Sequence, residues 1–331
     1  MSTSWLGVDM GKTSLVAAVC ADDERVLGSF RNDASGFADL AQQLASCARA
    51  AELHLVVEPT SGYELALVAF AYEQGWQVSL PNPRHVRNWA KGMGRRTKTD
   101  RQDALLLARY GLACQPAAQA PLAQEVSELD SLLKRRQDLE QILQQEKNRL
   151  QGMAGRPGIA PAVHESLAQV IAALQEALRQ VEEALAQHLQ QHAQLHAEAE
   201  RLLTIPGIGR KVVLPLLVIL HRWHTLTAGT GSTKGLTAFL GLDPKTHVSG
   251  SSIWRRPVIS KMGNAEVRRL LYMGALSAVH GRNPLHIFYE RLVGRGKARK
   301  LAVVAAAHKL LTWAWTIFLH QTTWNPALHT N

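Results

Sequence analysis

Cysteine is scarce. The chain of 331 residues has three, Cys20, Cys47 and Cys114, far apart and without a C-x-x-C pair. That excludes a cysteine-built zinc site and a disulfide framework, and it fits a reducing cytoplasm. Long apolar runs are missing as well. The longest, residues 212–220, falls well short of the roughly 20 residues that a bilayer requires. The stretch 301–319 is interrupted by His308 and Lys309. The first residues show no charged leader before a long apolar run, so neither a secretory signal nor a membrane partner is expected. Negative charge is nearly absent from the C-terminal part. From Thr204 onward Asp243, Glu266 and Glu290 stand against 17 Lys and Arg, +14 in a chain whose total is +10. Such asymmetry points to a polyanion, because clustered cations gain affinity by releasing counterions condensed on phosphates. A plain solubility effect is the alternative.

What is present is a chain long enough for two or three domains, 46% hydrophobic. Residues 5–9 (WLGVD), 15–21 (LVAAVCA) and 26–30 (VLGSF) are short, apolar and separated by turn-like residues, as in a three-stranded meander. Helical spacing follows over 34–50, a strand over 54–58, a helix over 63–74, a strand over 77–80 and a helix over 84–93. This order predicts a mixed sheet covered by helices, of the RNase H type. A basic loop, 95–99, precedes a helix that opens at Asp100 and runs to about Leu112. Residues 115–122, with Pro116 and Pro121, read as a linker closing a first domain over 1–115.

Beyond it the texture changes. Leu129, Leu132, Arg136, Leu139, Leu143, Glu146 and Leu150 recur in alternating steps of three and four. So do Leu167, Ile171, Leu174, Leu178, Val181, Leu185, His188, His192 and Leu195. These are heptad seams interrupted at 152–161, and they predict a coiled-coil domain over 122–198. Its second helix is expected to run unbroken over 163–195, and the pair to form an antiparallel hairpin or an intermolecular coiled coil. A basic, mainly helical domain is expected over 199–331. Its 247–257 segment reads as irregular, and helices are expected over 264–279 and 300–319.

The chemistry-bearing residues gather in a few places. Asp9 ends the first strand and Glu58 the fourth, and those strands are neighbours in an RNase H-like sheet. Asp100 and Asp103 share one helix face. Four converging carboxylates repel unless divalent cations neutralise them, and two such cations stabilise the attacking and leaving oxygens of a phosphodiester. Strand termination and helix capping would account for each one singly. Asp9-Met-Gly-Lys-Thr13 also matches the phosphate loop of actin-like ATPases, although no second Gly-rich phosphate loop follows. Residues 205–211 (IPGIGRK) suit either a helix-hairpin-helix turn that meets phosphate or an ordinary tight turn. Ser249-Gly250-Ser251-Ser252, followed by Arg255, Arg256 and Lys261, suits either a nucleophilic serine or a phosphate-binding loop without covalent chemistry. His188, His192 and His196 have the spacing of metal ligands, but the seam they occupy assigns them to packing.

Taken together, the segments GVD at 7–9, VEPTSGY at 57–63, NP at 82–83, KTD at 98–100 with DA at 103–104, IPGIG at 205–209, FLGL at 239–242, SGSS at 249–252, and SKMGN at 260–264 with RRL at 268–270 resemble one family. It comprises the DEDD transposases of the insertion sequence one-ten type, relatives of the Piv invertase, described as bridge-RNA-guided recombinases. The resemblance implies a RuvC-like domain, a coiled coil and a transposase domain. It implies that Asp9, Glu58, Asp100 and Asp103 hold Mg2+ or Mn2+ and that Ser249 is the nucleophile. It further implies donor and target DNA, an element-encoded guide RNA and a homo-oligomer, dimer or tetramer, as partners. Arg95, Arg96, Lys98, Arg210, Lys211, Arg255, Arg256, Lys261, Arg268 and Arg269 are the expected nucleic-acid contacts. The alternatives are a RuvC-like metal nuclease or junction resolvase using water, and a non-enzymatic nucleic-acid scaffold.

Overall fold

The computed structural model describes residues 3–21, 23–46, 53–60, 62–94, 99–249 and 253–326. The chain divides into two compact units. Unit 1 is residues 1–121 with 225–228, and unit 2 is residues 122–224 with 229–331.

Unit 1 is an α/β layer. Strands β1 (Ser4–Met10), β2 (Ser14–Cys20) and β3 (Glu24–Arg31) form the antiparallel meander. Helix α1 (Ala34–Ala45) follows, then β4 (Leu53–Val57), α2 (Leu65–Glu73), β5 (Gln77–Ser79), α3 (Pro83–Gly92) and α4 (Asp100–Cys114). The sheet order β3-β2-β1-β4-β5, with β4 parallel to β1 and β5 parallel to β4, is that of the RNase H fold. Alternation along the strands gives the sheet two faces. Leu6, Val8, Met10, Leu55 and Val57 join one core with Phe37, Leu40 and Leu67 from α1 and α2. Trp5 and Val56 face the other way, against Leu107 and Ala108 of α4 and Val86 of α3. The 115–122 segment is tied to the sheet edge. Gln119 N donates to Val78 O (2.8 Å), and the Ser79 hydroxyl lies 3.0 and 2.8 Å from the carbonyls of Pro116 and Ala117.

Unit 2 is mainly helical. Helices α5 (Gln124–Met153) and α6 (Pro161–Gln191) pack against each other. The start of α5 meets the end of α6, since His188 Nε2 lies 2.7 Å from the Glu125 carbonyl, so the pair is antiparallel within one chain. The second seam is not one unbroken helix. His192 leaves helical geometry (φ −115°, ψ 80°), and α7 (Ala193–Leu203) starts there. Helices α8 (Arg210–Leu226), α9 (Thr233–Phe239), α10 (Ala265–Ala278), α11 (Pro284–Gly294) and α12 (Arg299–His320) complete the unit. The hairpin base shares one core with them, through Val126, Leu129, Leu133 and Leu185. Helix α12 has the length and apolar composition to cross a membrane, yet Val303, Ala306, Leu310 and Ala314 are buried in this core.

The segment expected to be irregular is a β-hairpin, β6 (Pro244–Ser249) with β7 (Ile253–Ile259). Pro257 is tolerated within β7 because the pairing shifts register between Lys245 and His247, opposite this stretch, and because a two-stranded ribbon has only edge strands. Two close backbone approaches explain two glycines. A Cβ on Gly207 would lie 2.7 Å from Gly274 O, and one on Gly274 would lie 2.2 Å from Gly207 O, so the IPGIG turn rests directly on α10.

Candidate active site

The four carboxylates expected to act together are carried by three elements of unit 1. Strand pairing runs Gly7 with Val56 and Val8 with Val57, so Asp9 and Glu58 are the next step of the same register. Paired strands lie about 4.8 Å apart. Both residues alternate onto the face that carries Trp5, Gly7 and Val56, the face covered by α4.

Helix α4 runs antiparallel to β1. A Cβ on Gly111 would meet Trp5 at 2.5 Å, and one on Gly7 would lie 2.2 Å from both Ala104 O and Ala108 N. Moving two residues along the strand from Gly7 to Asp9 covers about 7 Å, equivalent to four or five helical residues. That carries the contact from the 104–108 turn back to the turn holding Asp100 and Asp103. The buried stripe of α4 is Ala104, Leu107, Ala108 and Gly111. Asp100 and Asp103 extend this stripe by one turn. Backbone register thus carries the four residues to the α4 side of the sheet, at the C-terminal ends of β1 and β4 and the N-terminal turn of α4.

The loops behind them are built. The Thr99 hydroxyl caps α4 by accepting from Gln102 N (3.4 Å), and the helix N-terminus favours the acids in its first turn. Asn32 Nδ2 donates to Gly11 O and to Tyr63 O, both at 3.1 Å, linking the loop after Asp9 to the loop after Glu58. The buried Glu64 carboxylate accepts from Thr60 N (2.9 Å) and Gly62 N (3.1 Å). Arg109 of α4 forms a two-pronged ion pair with Glu24 of β3. Hydrogen bonding from Arg109 holds the Glu24 carboxyl below its ordinary range. The Arg109–Glu24 pair ties α4 to the sheet.

Hard oxygen donors of this kind suit magnesium or manganese. Among the described residues, the group of three ligand-type side chains with ligand atoms within 4.8 Å of one another is Glu128, His188 and His192, not the four carboxylates. The spacing of His188 and His192 was legible in the sequence. Glu128 was missed because only the folded hairpin brings α5 to them.

In unit 2, Ser249 is the last residue of β6 and pairs with Ile253 across the hairpin tip. Residues 250–252, including Ser251 and Ser252, lie outside the described residues, as do Arg95, Arg96 and Lys98. Arg255 and Arg256 belong to β7. The hairpin base is anchored by the Ser260 hydroxyl on the Asp243 carboxylate and by Lys261 N donating to Gly241 O (3.0 Å). Lys261 itself is exposed.

Arg268 works inside the unit. Its Nη1 lies 2.9 Å from Leu240 O and 3.0 Å from Gly263 O, tying the end of α9 to the loop before α10. Arg269 pairs with Glu266 (2.8 Å). Arg210 and Lys211 are exposed at the start of α8. Lys211 and Arg269 line a groove of about 660 Å³ with Lys134, Arg136 and Arg222, above Val212, Ile219 and Leu270. Asp130 engages Lys134 (2.8 Å) and Arg222 (2.6 Å), whereas the buried Nε of Arg136 has no hydrogen-bond partner. Glu140 and Glu266 also line it, so five cations stand against three acids over an apolar floor.

The family model for transposases of the DEDD, IS110 type matches residues 6–154. The model for transposases of the IS116/IS110/IS902 family matches residues 199–290. Two curated relatives align along the whole chain. The pilin gene-inverting protein of Moraxella bovis is 31% identical over 99% of this chain and 100% of its own. That of Moraxella lacunata is 30% identical over the same shares.

Proposed function

The chain belongs to the IS116/IS110/IS902 family of transposases, and from that premise we propose how it cuts and rejoins DNA. It is a DNA recombinase, and DNA is its substrate. The reading assigns metal binding to Asp9, Glu58, Asp100 and Asp103, and covalent attack to Ser249. What supports it is the backbone register, in which Asp9 and Glu58 follow the paired Val8 and Val57 and the first turn of α4 lies beyond the Gly7–Ala104 contact. Bound there, magnesium or manganese supplies Lewis-acid stabilisation of the oxygens that attack and leave phosphorus.

The protein's own residues do the rest. The Ser249 hydroxyl attacks the scissile phosphorus and gives up its proton. One P–O bond of the strand breaks, and the departing oxygen takes a proton. The other side of the break remains as a phosphoserine ester, which keeps the energy of the cut bond for rejoining. In the second half, a hydroxyl of the incoming strand attacks that phosphorus and Ser249 regains its proton. The IPGIG turn with Arg210 and Lys211, the groove beside Arg136 and Arg269, and the cations of 95–98, 255–256 and 261 hold the nucleic-acid backbone. The labour divides over 1–115, 122–198 and 199–331.

The family resemblance supports delegating sequence choice to an element-encoded RNA, with protein contacts reading backbone and base pairing reading sequence. Assembly as a dimer or tetramer is supported by Ile142, Val163 and Val170, which leave apolar surface exposed away from the hairpin base.

The experiment is strand cleavage of DNA carrying the element ends, with and without chelator. Cleavage that requires magnesium or manganese, and that disappears in Asp100→Asn with Asp103→Asn, supports the reading. Cleavage indifferent to both refutes the carboxylate mechanism. The alternative of a junction resolvase using water has one observation in its favour, that all four carboxylates belong to unit 1 alone. Metal-dependent cleavage that survives Ser249→Ala would select it.

A further inference from the structure

We propose that Glu128, His188 and His192 form a zinc site at the base of the helical hairpin, separate from the four carboxylates. The ligand atoms of the three lie within 4.8 Å of one another. His188 lies in the last turn of α6, His192 directly follows that helix, and Glu128 is in the second turn of α5, so the site joins residues 60 or more apart in sequence.

The geometry of His188 carries the argument. The ring is 7% exposed, and its Nε2 lies 2.7 Å from the Glu125 carbonyl. A carbonyl only accepts, so Nε2 bears the hydrogen and donates it. In the neutral ring that leaves Nδ1 as a lone pair, directed at Glu128 Oε2 3.7 Å away. A cation seated between them satisfies both, either a proton on Nδ1 or a metal ion, and the third ligand-type side chain within reach favours the metal. The ring of His192 closes the third side, 4.4 Å from that of His188 between centroids and tilted by 47°. An imidazole that donates its far N–H to a backbone carbonyl and presents its other nitrogen is the pattern of a metal-bound histidine, because that outer bond fixes tautomer and ring orientation.

The donor set selects the metal. Two imidazoles with one carboxylate suit zinc, which completes a tetrahedron with a fourth ligand from solvent. The half-exposed Glu128 leaves that position open to water. The set lacks the oxygen-rich shell that calcium or magnesium prefers. The location gives the ion a task. His192 is the residue where α6 stops and α7 begins, and α7 leads into the IPGIG turn. A zinc ion binding His188, His192 and Glu128 fixes the corner between α6 and α7 and ties it to α5. It thereby sets the angle at which the hairpin leaves the core of unit 2.

The test uses full-length protein stripped of metal and titrated with zinc, then with cobalt as a spectroscopic stand-in. One zinc per chain is expected at this site, with the intense visible bands of tetrahedral cobalt. The melting temperature should rise by roughly 5 °C at zinc about a hundred-fold above its dissociation constant. Glu128→Gln and His192→Gln should each weaken binding beyond the roughly 10–100-fold that loss of an outer-shell partner costs. They also keep the test meaningful if a His188 variant misfolds, since neither residue is fully buried. Asp9→Ala should retain the zinc. The proposal is overturned if the double variant Glu128→Gln with His192→Gln binds zinc as tightly as the wild type. It is equally overturned if the cobalt spectrum is octahedral, or if zinc is lost with Asp9.

Discussion

In unit 1 the acidic residues stand on a five-stranded sheet whose central strand is pressed against α4 at backbone distance. In unit 2 the serine ends a strand that has one neighbour only. The carboxylates inherit their spacing from Gly7, Ala104 and Ala108, where no side chain intervenes to flex. Ser249 inherits its position from the rungs of a two-stranded ribbon with an irregular register near its base. A metal site tolerates little change in ligand spacing, so a rigid mount suits it. The proposed nucleophile, which would attack, hold a strand and release it, stands instead at the end of a strand paired on one side only. The proposed metal site and the proposed nucleophile therefore rest on mounts of different construction, one packed backbone to backbone and one a two-stranded ribbon.

The strongest way to break this comparison is to delete the chemistry from each side. Asp9→Ala should lower strand cleavage by roughly 10³-fold or more, with affinity for nucleic acid retained. Ser249→Ala should do the same and also remove any covalent intermediate. A serine variant that keeps more than about a tenth of the activity in a quantitative cleavage assay would remove unit 2 from the covalent step.

A gentler pair tests stiffness. Gly7→Ala forces α4 off β1, which should cost about 2–3 kcal/mol of stability and, through misplaced carboxylates, about 10²-fold in cleavage. Gly274→Ala makes an equally close clash in unit 2, against Gly207 O at 2.2 Å. It should mainly weaken nucleic-acid binding through the IPGIG turn. Denaturant melts beside cleavage and binding assays separate the two, and the reverse pattern would undo the assignment.

Acid should loosen the units in sequence. His54 is buried against Trp5 and Ser79, and burial pulls its pKa down to about 4 from 6.5. Its neutral form therefore stabilises unit 1 in full above about pH 6.5, and that contribution is lost as pH falls toward 4. The whole is about 3 kcal/mol at most. In unit 2, burial pushes the Glu198 carboxyl up, but its hydrogen bond to His221 (2.6 Å) and that residue's charge outweigh this, and the net is below the ordinary value. That contribution is present above the ordinary carboxylate range and is lost only below it. Hydrogen exchange should show unit 1 opening first between pH 6.5 and 4, and His54→Gln should flatten this response. The smallest effect expected is on salt dependence. Lys211→Ala should lower the slope of log affinity against log salt by about one, without changing cleavage of bound DNA.

Much of unit 1 was legible because its signals are local. Strands of alternating apolar residues, an Asp at one strand end and a Glu at another, and two acids three apart on a helix all announce themselves within short windows. The adjacency of β1 and β4 followed from element order, and the pairing of Val8 with Val57 bears it out. Unit 2 was less legible because its decisive contacts are long-range. The 247–257 segment, which holds Pro257, shows no strand signal that would announce β7 until its partner β6 is in place. The break at His192 lies inside an intact heptad pattern. Glu128 shows no relation to His188 until α5 and α6 fold together. Arg268 reads as a phosphate contact in a basic run, and the folded unit adds what the sequence does not show, hydrogen bonds from its guanidinium to backbone carbonyls.

The most direct measurement is a denaturing gel of labelled element-end DNA incubated with the protein and magnesium. The account predicts a protein–DNA adduct that survives denaturation, maps to Ser249 and is absent from Asp9→Ala and Ser249→Ala. Free cleaved ends without an adduct in the wild type, or an adduct mapping to another residue, would contradict it.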